Sequence, residues 1–181
     1  MAHVFNPARA KRLLSKDRMA RQPLEPILSR LKPEAGQTWL DLGAGSGFMT
    51  LPLLEQGCHV IALDLSEEML DYLLSRVPED LLPHLELGVA AAPPLPLEDA
   101  SVDNVVLINV FHEIPDHSGA AREMLRVLRP GGRIHILDHR RDSDQGGSPK
   151  KDRLDPAEVE EAFGREALET YMEPSYYHLV F

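Results

Sequence analysis

Three glycines at alternate positions, Gly43, Gly45 and Gly47, follow the apolar run "TWLDL" (38–42), and Asp64 comes 21 residues after the first of them. A loop without β-carbons that leaves a strand and enters a helix turns tightly and offers its backbone N–H groups to a ligand. A carboxylate at the tip of the neighbouring strand accepts hydrogen bonds from both hydroxyls of a ribose. Together these features suit a cofactor that carries a nucleoside. Dinucleotide sites place the third glycine five positions after the first, whereas here it falls at four. Asp41, two residues before the loop, sits badly against a pyrophosphate and suits a ligand with a cationic part.

A second group of titratable residues follows the fourth apolar run. In "NVFHEI" (109–114), His112 and Glu113 come just past a strand end, where ligand crevices of α/β sheets open. An imidazole there titrates near neutrality and is a candidate general base. Glu113 is expected to face solvent or pair with basic residues. In "HILDH" (135–139), His135 and His139 share one face of a strand, but no third ligand stands at metal-site spacing, so no metal is expected. Cys58 is the only cysteine. It cannot close an internal disulfide, reads as a small buried apolar residue, and fits a cytoplasmic location.

The elements that must position these residues alternate between strand and helix. Strands are expected at 38–42, 59–65, 85–89, 103–110 and 133–139, and helices at 48–57, 66–77, 118–132 and 155–164. Ser66 and Asp155 stand as helix N-caps. The segment "AAPPLPLEDAS" (91–101) has three prolines and must be loop. "EALETYM" and "YYHLVF" close the chain as a hairpin-like pair of strands. Repeated strand–helix–strand units imply a mostly parallel sheet covered on both faces, with ligands at the carboxyl ends of the strands. Residues 1–181 read as one domain, with 1–30 as a basic, helical, lid-like segment.

At this point the sequence resembles a known family, the class I S-adenosylmethionine-dependent methyltransferases, and in particular small bacterial members. The resemblance rests on "LDLGAGSGF" (40–48), "VIALDLSEEML" (60–70), "PLEDASVDNVVLINVFHEI" (96–114) and "MLRVLRPGGRIHILD" (124–138), in family order and spacing. It implies an α/β Rossmann-like three-layer sandwich, with a seven-stranded, mostly parallel sheet and an antiparallel C-terminal strand. S-adenosylmethionine, a nucleoside with a sulfonium and no phosphate, is the implied cofactor. By position, Asp41 and the loop residues Gly43, Ala44, Gly45, Gly47 and Phe48 hold its methionine end, Asp64 takes the ribose hydroxyls, and Leu65 lies against the adenine. Asn109 lines the cofactor near its methyl. The acid that often contacts the adenine amino group is replaced here by Ala91, leaving the backbone N–H of Ala92 as a donor.

Charge bounds the partners. The net charge is −10, yet residues 1–22 hold six basic side chains and one acid, so the remainder carries about −15. An acidic body without a basic groove argues against nucleic acid, and no apolar run is long enough to span a bilayer. The expected function is methyl transfer from S-adenosylmethionine to a small-molecule acceptor, with His112 the candidate base. Two alternatives stay open: a non-catalytic S-adenosylmethionine-binding module of the same fold, and a nicotinamide-dependent oxidoreductase, which the glycine spacing disfavours. The acceptor and the oligomeric state are left open.

Overall fold

The computed structural model describes residues 15–145 and 147–181. Arg9, Lys11 and Arg12 of the basic arm lie outside them. The described part of the arm is not one helix. Pro23, which lacks a backbone N–H, separates α1 (Lys16–Arg21) from α2 (Leu24–Leu31). Ile27 and Leu31 of α2 are buried against the sheet.

The remaining elements are β1 (Thr38–Leu42), α3 (Thr50–Glu55), β2 (His59–Asp64), α4 (Glu67–Leu74), β3 (Leu85–Val89), β4 (Val102–Ile108), α5 (His117–Val127), β5 (Leu128–His139), α6 (Pro156–Phe163), β6 (Glu169–Met172) and β7 (Tyr176–Val180). They form one seven-stranded sheet in the order β3-β2-β1-β4-β5-β7-β6. The pairings from β3 to β5 are parallel, and those of β7 with β5 and β6 are antiparallel.

Side-chain alternation along the central strands splits the core into two layers. Leu40, Val105 and Leu107 face α5 and α6, where they meet Met124 and Phe163. Trp39, Val106 and Ile108 face the opposite way, toward Ile27 of α2, Leu53 of α3 and Leu73 of α4. The result is the expected three-layer α/β/α sandwich.

Sequence and structure part at "RPGG". Helix α5 stops at Val127, and Leu128 is already extended (φ −75°, ψ 131°) and paired with Val102. Pro130 disfavours helical backbone at Arg129, so the helix ends short of the proline rather than running to Gly132. Other helices hold their expected caps. The Ser66 hydroxyl accepts from Met69 N–H, and Asp155 with Glu158 forms a reciprocal capping box over α6. Cys58 is fully buried, as expected. Among the described residues, no helix is long and apolar enough to cross a membrane.

Candidate active site

The order reverses between β1 and β4: the chain builds outward through β2 and β3 on one side, then through β5 on the other. Ligand crevices of such sheets open at this point, at the carboxyl ends of the strands. A cavity of about 1110 Å³ lies there. Small-molecule sites commonly measure roughly 300–1,000 Å³, so the cavity has room for a cofactor and an acceptor together.

The glycine loop and the tip of β2 form one end. Gly43 and Ala44 N–H groups both donate to the Leu63 carbonyl, which fixes the loop against β2. Asp64 then grips the loop from the other side. Its Oδ2 accepts from Gly45 N–H at 2.8 Å and its Oδ1 from Ser66 N–H at 2.9 Å. Each oxygen keeps a lone pair for a ligand hydroxyl.

The glycines earn their place differently from expectation. Gly43 has φ +75°, and a β-carbon there would run into the Val110 side chain. Gly47 (φ +81°) would run into Leu73 in the same way, and it does not line the cavity. Gly47 is thus the one expected cofactor residue outside the cavity lining, and it lets the turn pack on α4. The other expected cofactor residues, Asp41, Gly43, Ala44, Gly45, Phe48, Asp64, Leu65, Ala91, Ala92 and Asn109, all line the one cavity. Leu65 stays substantially exposed there and offers an apolar face.

Asp41 is 3% exposed and points to the Thr50 hydroxyl, which donates to it at 2.6 Å. Burial pushes its carboxyl up to about 6, against the Thr50 hydrogen bond. It is still anionic at neutral pH, a buried charge that calls for a cation. Arg18 of α1 reaches toward it, with its guanidinium 4.4 Å from the Phe48 ring centroid. Burial pulls Arg18 down to about 10, and its Nε has no partner among the described residues.

Gln22 and Asn109 lock the N-terminal segment to the tip of β4. Their amides exchange two hydrogen bonds of 2.9 Å each. Asn109 takes a left-handed backbone (φ +59°), which asparagine tolerates better than most residues.

The other end of the cavity is built around a buried carboxylate. Asp138, wholly buried, lies 2.7 and 2.8 Å from Nδ1 of His112 through its two oxygens. It also accepts the backbone N–H groups of His112 and His139. Burial opposes a charged His112 ring, but the hydrogen bond and charge of Asp138 outweigh it and raise the ring above its ordinary value. With Nδ1 committed to Asp138, the free lone pair falls on Nε2, which is buried and makes no hydrogen bond among the described residues. Glu113 stands 3.8 Å from Nε2 and lines the cavity instead of serving only solvent. Such a pairing, an imidazole oriented by a buried carboxylate, has the geometry that proton abstraction needs.

His135 and His139 do not meet. His135 is buried against His178, Nδ1 to Nε2 at 3.0 Å, and stacked on Trp39, while His139 lines the cavity. No group of three metal-binding side chains occurs among the described residues.

Residues 40–136 match the family model described as a methyltransferase domain. The chain belongs to this methyltransferase-domain family. It is 38% identical over 136 residues to an uncharacterized methyltransferase of Mycobacterium bovis, a match covering 68% of the chain and 54% of the relative. It is 39% identical over 106 residues to a demethylmenaquinone methyltransferase of Clavibacter sepedonicus, covering 59% and 42%. The chain therefore spans about half the length of these relatives. A crystal structure of an S-adenosylmethionine-dependent methyltransferase from Aquifex aeolicus superposes with a TM-score of 0.87 over 97% of both chains, at 24% identity, which shows the common fold.

S-adenosylmethionine is the cofactor that membership of this methyltransferase-domain family implies, and the cavity fits it. Five lining carboxylates (Asp41, Asp64, Glu113, Asp116, Asp152) face two lining guanidiniums (Arg18, Arg21) among the described residues. That balance favours a cationic ligand and opposes a pyrophosphate.

Proposed function

We propose that this chain catalyses methyl transfer from S-adenosylmethionine to a small-molecule acceptor whose acidic proton is taken by His112. The observation that carries this reading is the buried His112–Asp138 pair, with Nε2 free of any hydrogen bond and the Glu113 carboxylate 3.8 Å away, in the same cavity as the glycine loop and Asp64.

Asp41 would receive the cofactor's ammonium group, and the unsatisfied Arg18 guanidinium its carboxylate. Asp64 would take the ribose hydroxyls, with Leu65 on one side of the adenine and Ala91 and Ala92 near its edge. The loop residues Gly43, Ala44, Gly45 and Phe48 and the strand-tip residue Asn109 complete the wall. When bound, the cofactor supplies an electrophilic methyl group and a neutral leaving group.

The protein's share is alignment, exclusion of water and proton removal. A buried imidazole nitrogen without a hydrogen bond costs free energy, and an acceptor hydroxyl that reaches Nε2 recovers it. The proton moves to Nε2, and Asp138 balances the imidazolium charge that results. The N-terminal segment, tied down by Gln22, acts as a lid over this exchange.

The base pair favours an enzyme over a binding module, which would need no oriented base. A hydroquinone acceptor is a more specific reading, favoured by the demethylmenaquinone methyltransferase relative. The test combines calorimetry with a product assay. S-adenosylhomocysteine binding, and its formation from S-adenosylmethionine with a library of hydroxylated acceptors, is expected. Binding without turnover on any extract or library would leave only the binding module.

A further inference from the structure

The mechanism above uses one histidine of the cavity and leaves another unexplained. His139 lines the same space, at the end of β5. Its Nδ1 is buried and makes no hydrogen bond among the described residues, as is true of Nε2 in His112. Buried polar atoms without partners are uncommon in folded proteins and call for a reason.

The two rings differ in charge. Asp138 raises His112, whereas burial pushes His139 down to about 4 against the same Asp138 charge, helped by His112, Arg153 and Arg18 as positive neighbours. His139 is therefore neutral through the physiological range and can donate or accept one hydrogen bond at Nδ1 without a charge change. Gly147 holds it there: at φ +94° a β-carbon would collide with the imidazole, so only glycine lets this loop close over the ring. The acidic residues Glu113, Asp116 and Asp152 line this end and repel an anionic substrate.

We infer that His139 is a specificity-determining residue that binds a second polar group of the acceptor. The acceptor is then an uncharged molecule with two polar groups, of which one gives its proton to His112 and the other hydrogen-bonds to the His139 imidazole. The inference rests on the methyltransferase reading and narrows its acceptor.

The test uses naphthalene-1,4-diol and 1-naphthol, kept under anaerobic conditions, as probes that differ by one hydroxyl. Binding to the protein loaded with S-adenosylhomocysteine is followed by imidazole NMR, and turnover by S-adenosylhomocysteine release. The diol is expected to bind about tenfold more tightly than the mono-ol and to shift the His139 ring signals. His139→Ala should remove that preference through KM and leave cofactor affinity unchanged. His139→Asn, whose amide lies near the place of Nδ1, should restore part of it.

An unchanged preference in His139→Ala overturns the inference, as does failure of both probes to bind a protein that does bind S-adenosylhomocysteine. A protein that takes up neither cofactor nor probe overturns the methyltransferase reading along with it.

Discussion

The two ends of the cavity are made in different ways. The end proposed for the cofactor is framed by backbone, one loop and one strand tip tied together by Asp64, which holds both Gly45 and Ser66 N–H groups. The end proposed for the acceptor is made of side chains from separate elements, gathered on one buried carboxylate, Asp138. Backbone sites are set by the fold and tolerate little variation in the chain path. Side-chain sites can be remade one residue at a time, which is how one fold serves many acceptors.

Mutations at the two ends should therefore have separable effects. The largest is expected from His112→Gln, which removes the base. Turnover should fall by about 10²–10⁴-fold, with S-adenosylhomocysteine affinity unchanged by calorimetry. A loss of both would merge the two ends.

Asp138→Asn sharpens the same point through pH. In the wild type the base must be unprotonated, so turnover rises with pH through a His112 value lying above 6.5. Without the Asp138 charge, burial dominates, and the acid limb should move to lower pH while the plateau drops. A pH–rate profile reads both changes.

Asp64→Ala attacks the other end. It should weaken S-adenosylmethionine by about 1.5–3 kcal/mol, seen as a rise in Kd, with the pH profile of the remaining turnover unmoved.

The smallest effect is a pH effect on stability away from the cavity. His135 and His178 are held neutral by burial, at about 3 and about 4. The unfolded chain binds their protons first, so stability falls as pH drops below about 6.5, by at most about 2.7 kcal/mol per pH unit for two sites. His112 acts in the opposite sense: its contribution is full below pH 6.5 and fades as pH rises through its folded value. Thermal melting from pH 7 to pH 4 should show the first trend, and His135→Phe should flatten it.

The same division explains what could be read in the sequence. The glycine loop, Asp41, Asp64 and Leu65 lie within one strand–helix–strand unit, so their spacing alone brought them together. Ser66 and Asp155 were legible as caps because capping is local. Thr50 beside Asp41 was not, since nothing in a helical threonine marks which strand residue it will meet. Asp138 was visible in "HILDH", but its partner His112 stands 26 residues earlier, and only the parallel pairing of β4 with β5 makes them neighbours. Arg18 was hidden among the basic residues of an arm whose path no local pattern fixes. Gly47 shows a further limit: a glycine that accommodates a packed leucine looks, in sequence, like one that accommodates a ligand.

Asp138 serves two histidines at once, one through its ring and the other through its backbone N–H, and that has a cost for anyone wishing to redesign the molecule. The carboxylate that tunes the proton acceptor also anchors the backbone of the residue beside it in the acceptor chamber. Retargeting this scaffold to a new acceptor by altering that position would shift the pH optimum in the same step. Selectivity is better engineered from the ring of His139 outward, where a change can be made without detuning the base.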